Sequence, residues 1–146
     1  MMLWENIVKV GTVSELLLPQ DKALARVTIG GRQTPLLPVL MKANSFKRHW
    51  VPMRIGEQVT VFSPFGNPDL GFVVPSIFHT GCKEPEGASG HTEVIEYEDG
   101  TRIVYDTQAK SLSLNAVGDV FLSARGNITI KADGNFRVEA ARVDLN

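Results

Sequence analysis

From Leu112 onward the chain repeats every eight residues. Written in eights it reads Leu-Ser-Leu-Asn-Ala-Val-Gly-Asp, Val-Phe-Leu-Ser-Ala-Arg-Gly-Asn, Ile-Thr-Ile-Lys-Ala-Asp-Gly-Asn and Phe-Arg-Val-Glu-Ala-Ala-Arg-Val. The first column holds Leu112, Val120, Ile128 and Phe136, the third Leu114, Leu122, Ile130 and Val138, and the fifth Ala116, Ala124, Ala132 and Ala140. A mostly polar set alternates with them: Ser113, Phe121, Thr129 and Arg137, then Asn115, Ser123, Lys131 and Glu139. This alternation predicts short strands, each apolar on one face. Gly118-Asp119, Gly126-Asn127 and Gly134-Asn135 close the first three octads and predict tight turns with positive φ. The fourth octad carries Arg142-Val143 at that place, which predicts that its turn is lost.

Such a ribbon does not stand alone. The large apolar side chains of the first and third columns contribute about 1.5–3 kcal/mol each when fully buried. Ordering the backbone costs roughly 1–2 kcal/mol per residue, and an isolated ribbon cannot bury its apolar face at all. A neighbouring domain, other copies of the chain, or the further coils of a single-chain solenoid are the possible covers. A solenoid needs more residues per coil and several coils. A calcium-binding nonapeptide repeat fits less well still, because the period is eight and the acidic residues do not recur in register. Three copies around a threefold axis, apolar columns inward and edges paired, answer the pattern best. Packing of the octads on the chain's own body is the alternative.

Upstream the pattern is again of short strands. Ile7 to Leu18 alternates across Gly11, where a bulge or sharp bend is expected, and Pro19 to Lys22 predicts a turn. Ala23 to Ile29 follows, with Ala23, Ala25, Val27 and Ile29 on one face. Gly30-Gly31 is a hairpin turn, and Gln33 to Val39, interrupted by Pro35 and Pro38, suits an edge strand. After the irregular segment Met41 to Ile55, strands are expected over Gln58 to Ser63 and Gly71 to Phe78. Five short strands with a long third connection predict an all-β fold beginning with a five-stranded Greek-key barrel of the oligonucleotide/oligosaccharide-binding (OB) type. His79 to His91 is rich in Gly, Glu, Lys and Pro and predicts a linker. Thr92 to Asp99 and Thr101 to Asp106 predict collar strands joined by an Asp99-Gly100 turn.

Composition narrows the chemistry. With 146 residues, 43% hydrophobic, and 15 basic against 16 acidic side chains, the chain has room for one compact domain and an appendage, and no charge surplus to clamp phosphates. No apolar run reaches the ~20 residues of a membrane span, and Met1-Met2-Leu3-Trp4-Glu5 lacks the basic start of a signal peptide, so a cytoplasmic origin is expected. Cys82, the single cysteine, excludes an internal disulfide.

His49, His79 and His91 have no metal-site spacing, and no cofactor is expected. Glu84, Glu86, Glu96, Glu98 and Asp99 sit in linker and turn positions, without the cleft a glycosidase needs. The irregular segment carries Lys42, Lys47, Arg48, His49 and Arg54 with Phe46 and Trp50, of which Lys47, Arg48, Trp50 and Phe46 compose a candidate stacking platform for single-stranded nucleic acid. The competing and favoured expectation is a loop whose Phe46 and Trp50 cap one end of the barrel, with no nucleic acid bound.

Three stretches, taken in order, resemble a known family. They are Trp50-Val51-Pro52-Met53-Arg54-Ile55-Gly56-Glu57-Gln58-Val59, Gly66-Asn67-Pro68-Asp69-Leu70-Gly71-Phe72-Val73-Val74, and Asp99-Gly100-Thr101-Arg102-Ile103-Val104-Tyr105-Asp106 ahead of the octads. The chain from Ile7 to its end is similar to the baseplate assembly protein V family, the central spikes of contractile phage tails, themselves related to type VI secretion spikes.

The resemblance implies an OB-fold barrel over 1–80, a linker over 81–91, and collar strands with an intertwined trimeric triple-stranded β-helix over 92–146. Trp50, Pro52, Gly56, Glu57, Asp69 and Gly71 are the barrel residues that carry it, and the columns Leu112 to Ala140 are the expected trimer core. The implied function is non-enzymatic: a rigid homotrimeric needle in the virion baseplate, assembled in the host cytoplasm, that punctures the host outer membrane on sheath contraction. The implied partners are tail hub and baseplate proteins at the barrel, and transiently the host envelope. Many spikes of this family end in a metal-binding His-x-His pair, but no histidine follows His91 here, so no metal is carried over. The resemblance then leaves either a blunt tip completed by a separate cap protein or a chain that continues beyond Asn146. There is no room between Phe78 and Thr92 for the cell-wall hydrolase domain that some phage spikes carry. A single-stranded nucleic-acid module and a type VI secretion tip are the alternatives.

Overall fold

The computed structural model describes residues 6–18 and 23–145. The turn expected at Pro19 to Lys22 lies outside the described residues. The chain is all-β, with antiparallel sheets, and divides into two compact units, Met1–Ala88 and Ser89–Asn146.

In the first unit, β1 (Val8–Leu17), β2 (Leu24–Ile29), β3 (Arg32–Gln33), β4 (Leu37–Pro38), β5 (Gln58–Phe62) and β6 (Phe72–Ile77) share one sheet. Their order is β3-β2-β1-β5-β6, with β4 also paired to β2. The long β1 serves two neighbours: Val8 to Thr12 pair with β5, and Thr12 to Leu17 pair with β2. Alternate residues turn inward, so Val13, Ala25, Val27, Leu37, Val59, Val61 and Val73 are buried, joined by Met53 from the irregular segment. Phe62 and Phe72, opposite one another in the β5–β6 ladder, stack with ring centroids 5.5 Å apart.

Three expectations for this unit need correction. The strand expected over Gln33 to Val39 is two short pieces, making the sheet six-stranded rather than five-stranded. Pro35 and Pro38 have no N–H to give a ladder, and Thr34 bridges the gap. Its N–H donates to the Val27 carbonyl at 2.9 Å, and its hydroxyl oxygen accepts from the Val27 N–H at 3.0 Å. The sheet also does not close into a barrel. A single parallel bridge, Val39 to Val73, supported by the Leu40 N–H donating to the Val73 carbonyl at 2.8 Å, stands where a closing ladder was expected.

The bulge falls at Ser14, between Val13 and Glu15, and not at Gly11, through which the β1–β5 ladder runs unbroken. Gly11 is required by close approach: a Cβ there would lie 2.5 Å from Val27 Cγ1 and 2.6 Å from the Thr28 carbonyl oxygen. Gly71 follows the same logic, since a Cβ would meet the Phe62 carbonyl oxygen at 3.0 Å and Leu37 Cδ1 at 3.1 Å.

The expected linker begins as a closed turn within the first unit, where His79 and Cys82 exchange both backbone hydrogen bonds at 2.9 Å. In the second unit, β7 (Thr92–Glu96), β8 (Arg102–Asp106) and β9 (Ser111–Asn115) form a three-stranded antiparallel sheet. The β7–β8 turn is held by the Asp99 side chain, whose Oδ1 accepts from the Thr101 N–H at 2.8 Å, with Gly100 at φ 91°. At the other end, the Thr107 N–H and hydroxyl both donate to the His91 carbonyl, at 2.9 and 3.0 Å.

Beyond Asn115 the octads behave differently from expectation. No strand is assigned from Ala116 to Leu145, because within one chain successive octads run on without folding back as hairpins, and a ladder needs a neighbour. The period survives in the backbone as bends at Val117-Gly118, Arg125-Gly126, Asp133-Gly134 and Ala141. The fourth octad therefore keeps its bend without glycine. Gly118, Gly126 and Gly134 do not take positive φ, so these are corners in an extended path rather than tight hairpin turns.

Candidate association surface

In an antiparallel ladder, residues directly opposite one another share a face. Ile95, Ile103 and Leu114 form one row across β7, β8 and β9, and Glu93, Tyr105 and Leu112 the next. The other face carries Val94, Val104 and Ser113, then Glu96, Arg102 and Asn115, with Glu96 Oε2 3.3 Å from Arg102 Nε. One face is therefore rich in large apolar groups, and Ile95, Tyr105, Leu112 and Leu114 on it are exposed.

The octads extend this pattern. Leu112, Leu114, Val120, Leu122, Ile128, Ile130, Phe136 and Val138 are 50–75% exposed, and Ala124, Ala132 and Ala140 are open as well, with Ala116 half-buried. Ion pairs join Arg137 to Glu139 and Arg142 to Asp144, two residues apart, as extended backbone allows. Val117 returns toward the β7–β8 turn, its N–H donating to the Thr101 hydroxyl at 3.2 Å, which orients the exit of the first octad. A run of large apolar side chains left open over four repeats is a candidate association surface, of the kind that marks interaction sites when contiguous. Its chemistry is burial and strand pairing; it assembles no acid–base or nucleophilic group. Asp119, Asn127 and Asn135 stand just past the first three corners and are exposed.

The first unit supplies two further features. Glu57 Oε1 accepts from the Arg54 N–H at 2.8 Å and closes the turn around Gly56, whose N–H donates to the Val13 carbonyl at 2.9 Å. The Gly-Glu pair thus ties the irregular segment to β1. Pro52 and Trp50 lead into buried Met53, while Asp69 and Gly71 belong to the short 3-10 turn at Pro68–Leu70 and its exit, where Asn67 Oδ1 accepts from the Asp69 N–H at 3.0 Å. These residues position loops and do not converge on one site.

Sequence reasoning missed a groove of about 550 Å³ lined chiefly by Leu40, Met41, Val51, Pro52, Met53 and Pro75. The available signal was the apolar run at Val39 to Met41, placed after a broken strand. The expected cap of Phe46 and Trp50 is corrected for Phe46, which is 95% exposed. Asn44 Oδ1 accepts from the N–H groups of Phe46 and Lys47 and holds that turn outward. Trp50 is half exposed. Among the described residues no cluster of three metal-ligating side chains occurs, and no helix is long and apolar enough to cross a membrane.

No protein-family model matches the chain. It is 27% identical to the spike protein of Escherichia phage P2 over 119 residues, which cover 82% of this chain and 55% of that protein. The chain thus spans about half the length of the relative it matches. This likeness to a phage spike protein supports, at the level of family, the resemblance to the baseplate spikes.

Proposed function

We propose that this chain is the structural spike of a contractile phage tail, or of a phage-tail-like particle, acting as a homotrimer in the virion baseplate. The observation that carries the reading is the exposed apolar face of the octads, with bends recurring every eight residues from Val117 to Ala141. Three copies turning these columns inward supply both the missing core and the missing ladder partners, and give a triple-stranded β-helix with no free edge. The first unit serves as an OB-type barrel that docks to tail hub and baseplate proteins. The Val39–Val73 bridge supports that fold, since it links the two ends of the sheet that a barrel would join.

The needle works without catalysis. Sheath contraction supplies the force, and a prism with every strand paired and an apolar axis transmits it to the host outer membrane.

Light scattering on the intact chain and on a truncation ending at Thr107 tests the association. The reading expects three times the 16.0 kDa chain mass for the first and a monomer for the second. An intact chain that stays monomeric at micromolar concentration overturns it.

A further inference from the structure

Besides the groove beside Met53, the first unit holds a cavity of about 370 Å³ walled by β1, β3 and the β5–β6 connection. Its size falls among small-ligand clefts, which run roughly 300–1,000 Å³. Lys9 from β1 and Arg32 and Gln33 from β3 line it, with Ser63 and Gly66 from the connection. No Asp, Glu or aromatic residue lines it. Neither Lys9 nor Arg32 has a carboxylate partner among the described residues. Ser63 is only 8% exposed, and it caps the Pro64–Gly66 turn without a side-chain hydrogen bond, which leaves its hydroxyl available to a ligand.

Two cations that meet no acid, beside a hydroxyl and the Gln33 amide, are the donor set of an anion site. Arg32 offers a planar fork that matches a carboxylate, and Lys9 a point charge. The rest of the surroundings decide where that carboxylate comes from. A single-stranded nucleic acid needs a stacking platform, which the lining lacks. A protein segment finds more. β3 is the outer strand at its end of the sheet, so an extended segment can lie along its free side. Phe65, in the same turn as Ser63 and Gly66, is 87% exposed at φ 56° and ψ 19°. A bulky residue in that left-handed region is strained, and here it leaves a large aromatic in water close to an arginine, a pairing enriched in protein interfaces. Charge agrees as well: residues 1–88 carry nine basic and seven acidic side chains, and residues 89–146 six and nine.

Resting on the reading of the first unit as the docking module, we propose that this cavity takes a carboxylate from an acidic, extended segment of the docked protein. Lys9 and Arg32 hold the carboxylate, and Phe65 packs on the segment beside it.

The test uses the full-length chain and a labelled, end-blocked peptide of alternating Glu and Leu, read by fluorescence anisotropy. Saturable binding is expected, weakened about tenfold or more by Lys9→Glu or Arg32→Glu, by a smaller factor by Phe65→Ala, and by added salt. The double reversal should instead bind the same peptide with Lys in place of Glu, a gain that loss of folding does not produce. No saturable binding by the wild type, or equal binding by the wild type and the double reversal, overturns the site. A labelled oligothymidylate that binds more tightly than the acidic peptide, and is lost in the double reversal, overturns the assignment to a protein segment. Light scattering on the same samples separates the two readings. A trimer that leaves the peptide unbound keeps the spike and loses the site, whereas a monomer that binds it keeps the site and loses the spike.

Discussion

Ile103 on β8 lies directly opposite Leu114 on β9, with Ile95 flanking it on β7. Leu114 is the third residue of the first octad, so the octad face does not begin in open chain. It starts as the outer strand of a folded sheet, in a register set by the β8–β9 ladder. Association would then propagate from an ordered seed instead of ordering the whole ribbon at once, which lowers the entropy that the first inter-copy contacts must offset.

Replacing Leu122 and Ile130 by Asp should abolish the proposed trimer. Each copy would lose two buried side chains, at about 1.5–3 kcal/mol apiece, and would place two carboxylates in an apolar axis. A fragment of residues 1–88, matching the first compact unit, should remain folded by circular dichroism, since its buried cluster includes no octad residue. Retention of a trimer by the doubly substituted chain would show that the columns do not form its core.

Gly71→Ala should destabilise the first unit by about 1–3 kcal/mol in denaturant unfolding, without changing the mass of the assembly. The added methyl meets the Phe62 and Pro68 carbonyl oxygens at 3.0 and 3.1 Å, and backbone has little freedom to give way. Gly11→Ala should cost more, because its Cβ would press on Val27, Thr28 and Ile29 within 2.5–2.7 Å. An alanine tolerated at Gly11 would mean that β1 and β2 approach one another less closely than these distances, and one tolerated at Gly71 that Phe62 and Leu37 can give way.

Thr34→Val keeps the side-chain shape and removes the hydroxyl that accepts from the Val27 N–H at 3.0 Å. Val27 is fully buried, so its N–H would have no water to turn to. A loss of about 1–3 kcal/mol is expected in equilibrium unfolding. No measurable loss would assign the gap between β3 and β4 to packing alone.

Much of the first unit's fold is legible in the residues themselves, for a physical reason. Alternation reports burial directly in the first unit, so Ala25 and Val27, and Val59 and Val61, take their faces from residue type alone, whereas the octad columns alternate but stand exposed. Boundaries set by backbone chemistry are harder. The Pro35 and Pro38 positions suggest an edge, but not that Thr34 replaces the missing donors. Gly11 signals a special position without saying whether it serves a bulge or a close approach; only the neighbouring Val27 and Ile29 decide that. The octad glycines predict positive-φ turns because Gly-Asn so often is one, whereas a corner in an extended path asks less of the backbone. The groove beside Met53 is illegible, since it depends on how an irregular segment lies over β6.

The exposed Phe46 and half-exposed Trp50 invite a last test. Two aromatic platforms stack two bases at about 1–3 kcal/mol each, and Lys42, Lys47, Arg48 and Arg54 are the nearby cations in a chain of net charge -1. Taken at its upper limit, stacking alone supports an affinity near the ten-micromolar range, and at its middle only millimolar. Phosphate contacts to so few exposed cations weaken steeply in salt. Fluorescence anisotropy with a labelled single-stranded oligonucleotide in about 0.15 M salt should therefore show no saturation below roughly 100 µM. Phe46→Ala should leave the titration unchanged. Micromolar, salt-sensitive binding that Phe46→Ala removes would instead make the loop from Asn44 to Trp50 a nucleic-acid contact, and the first unit a binding module.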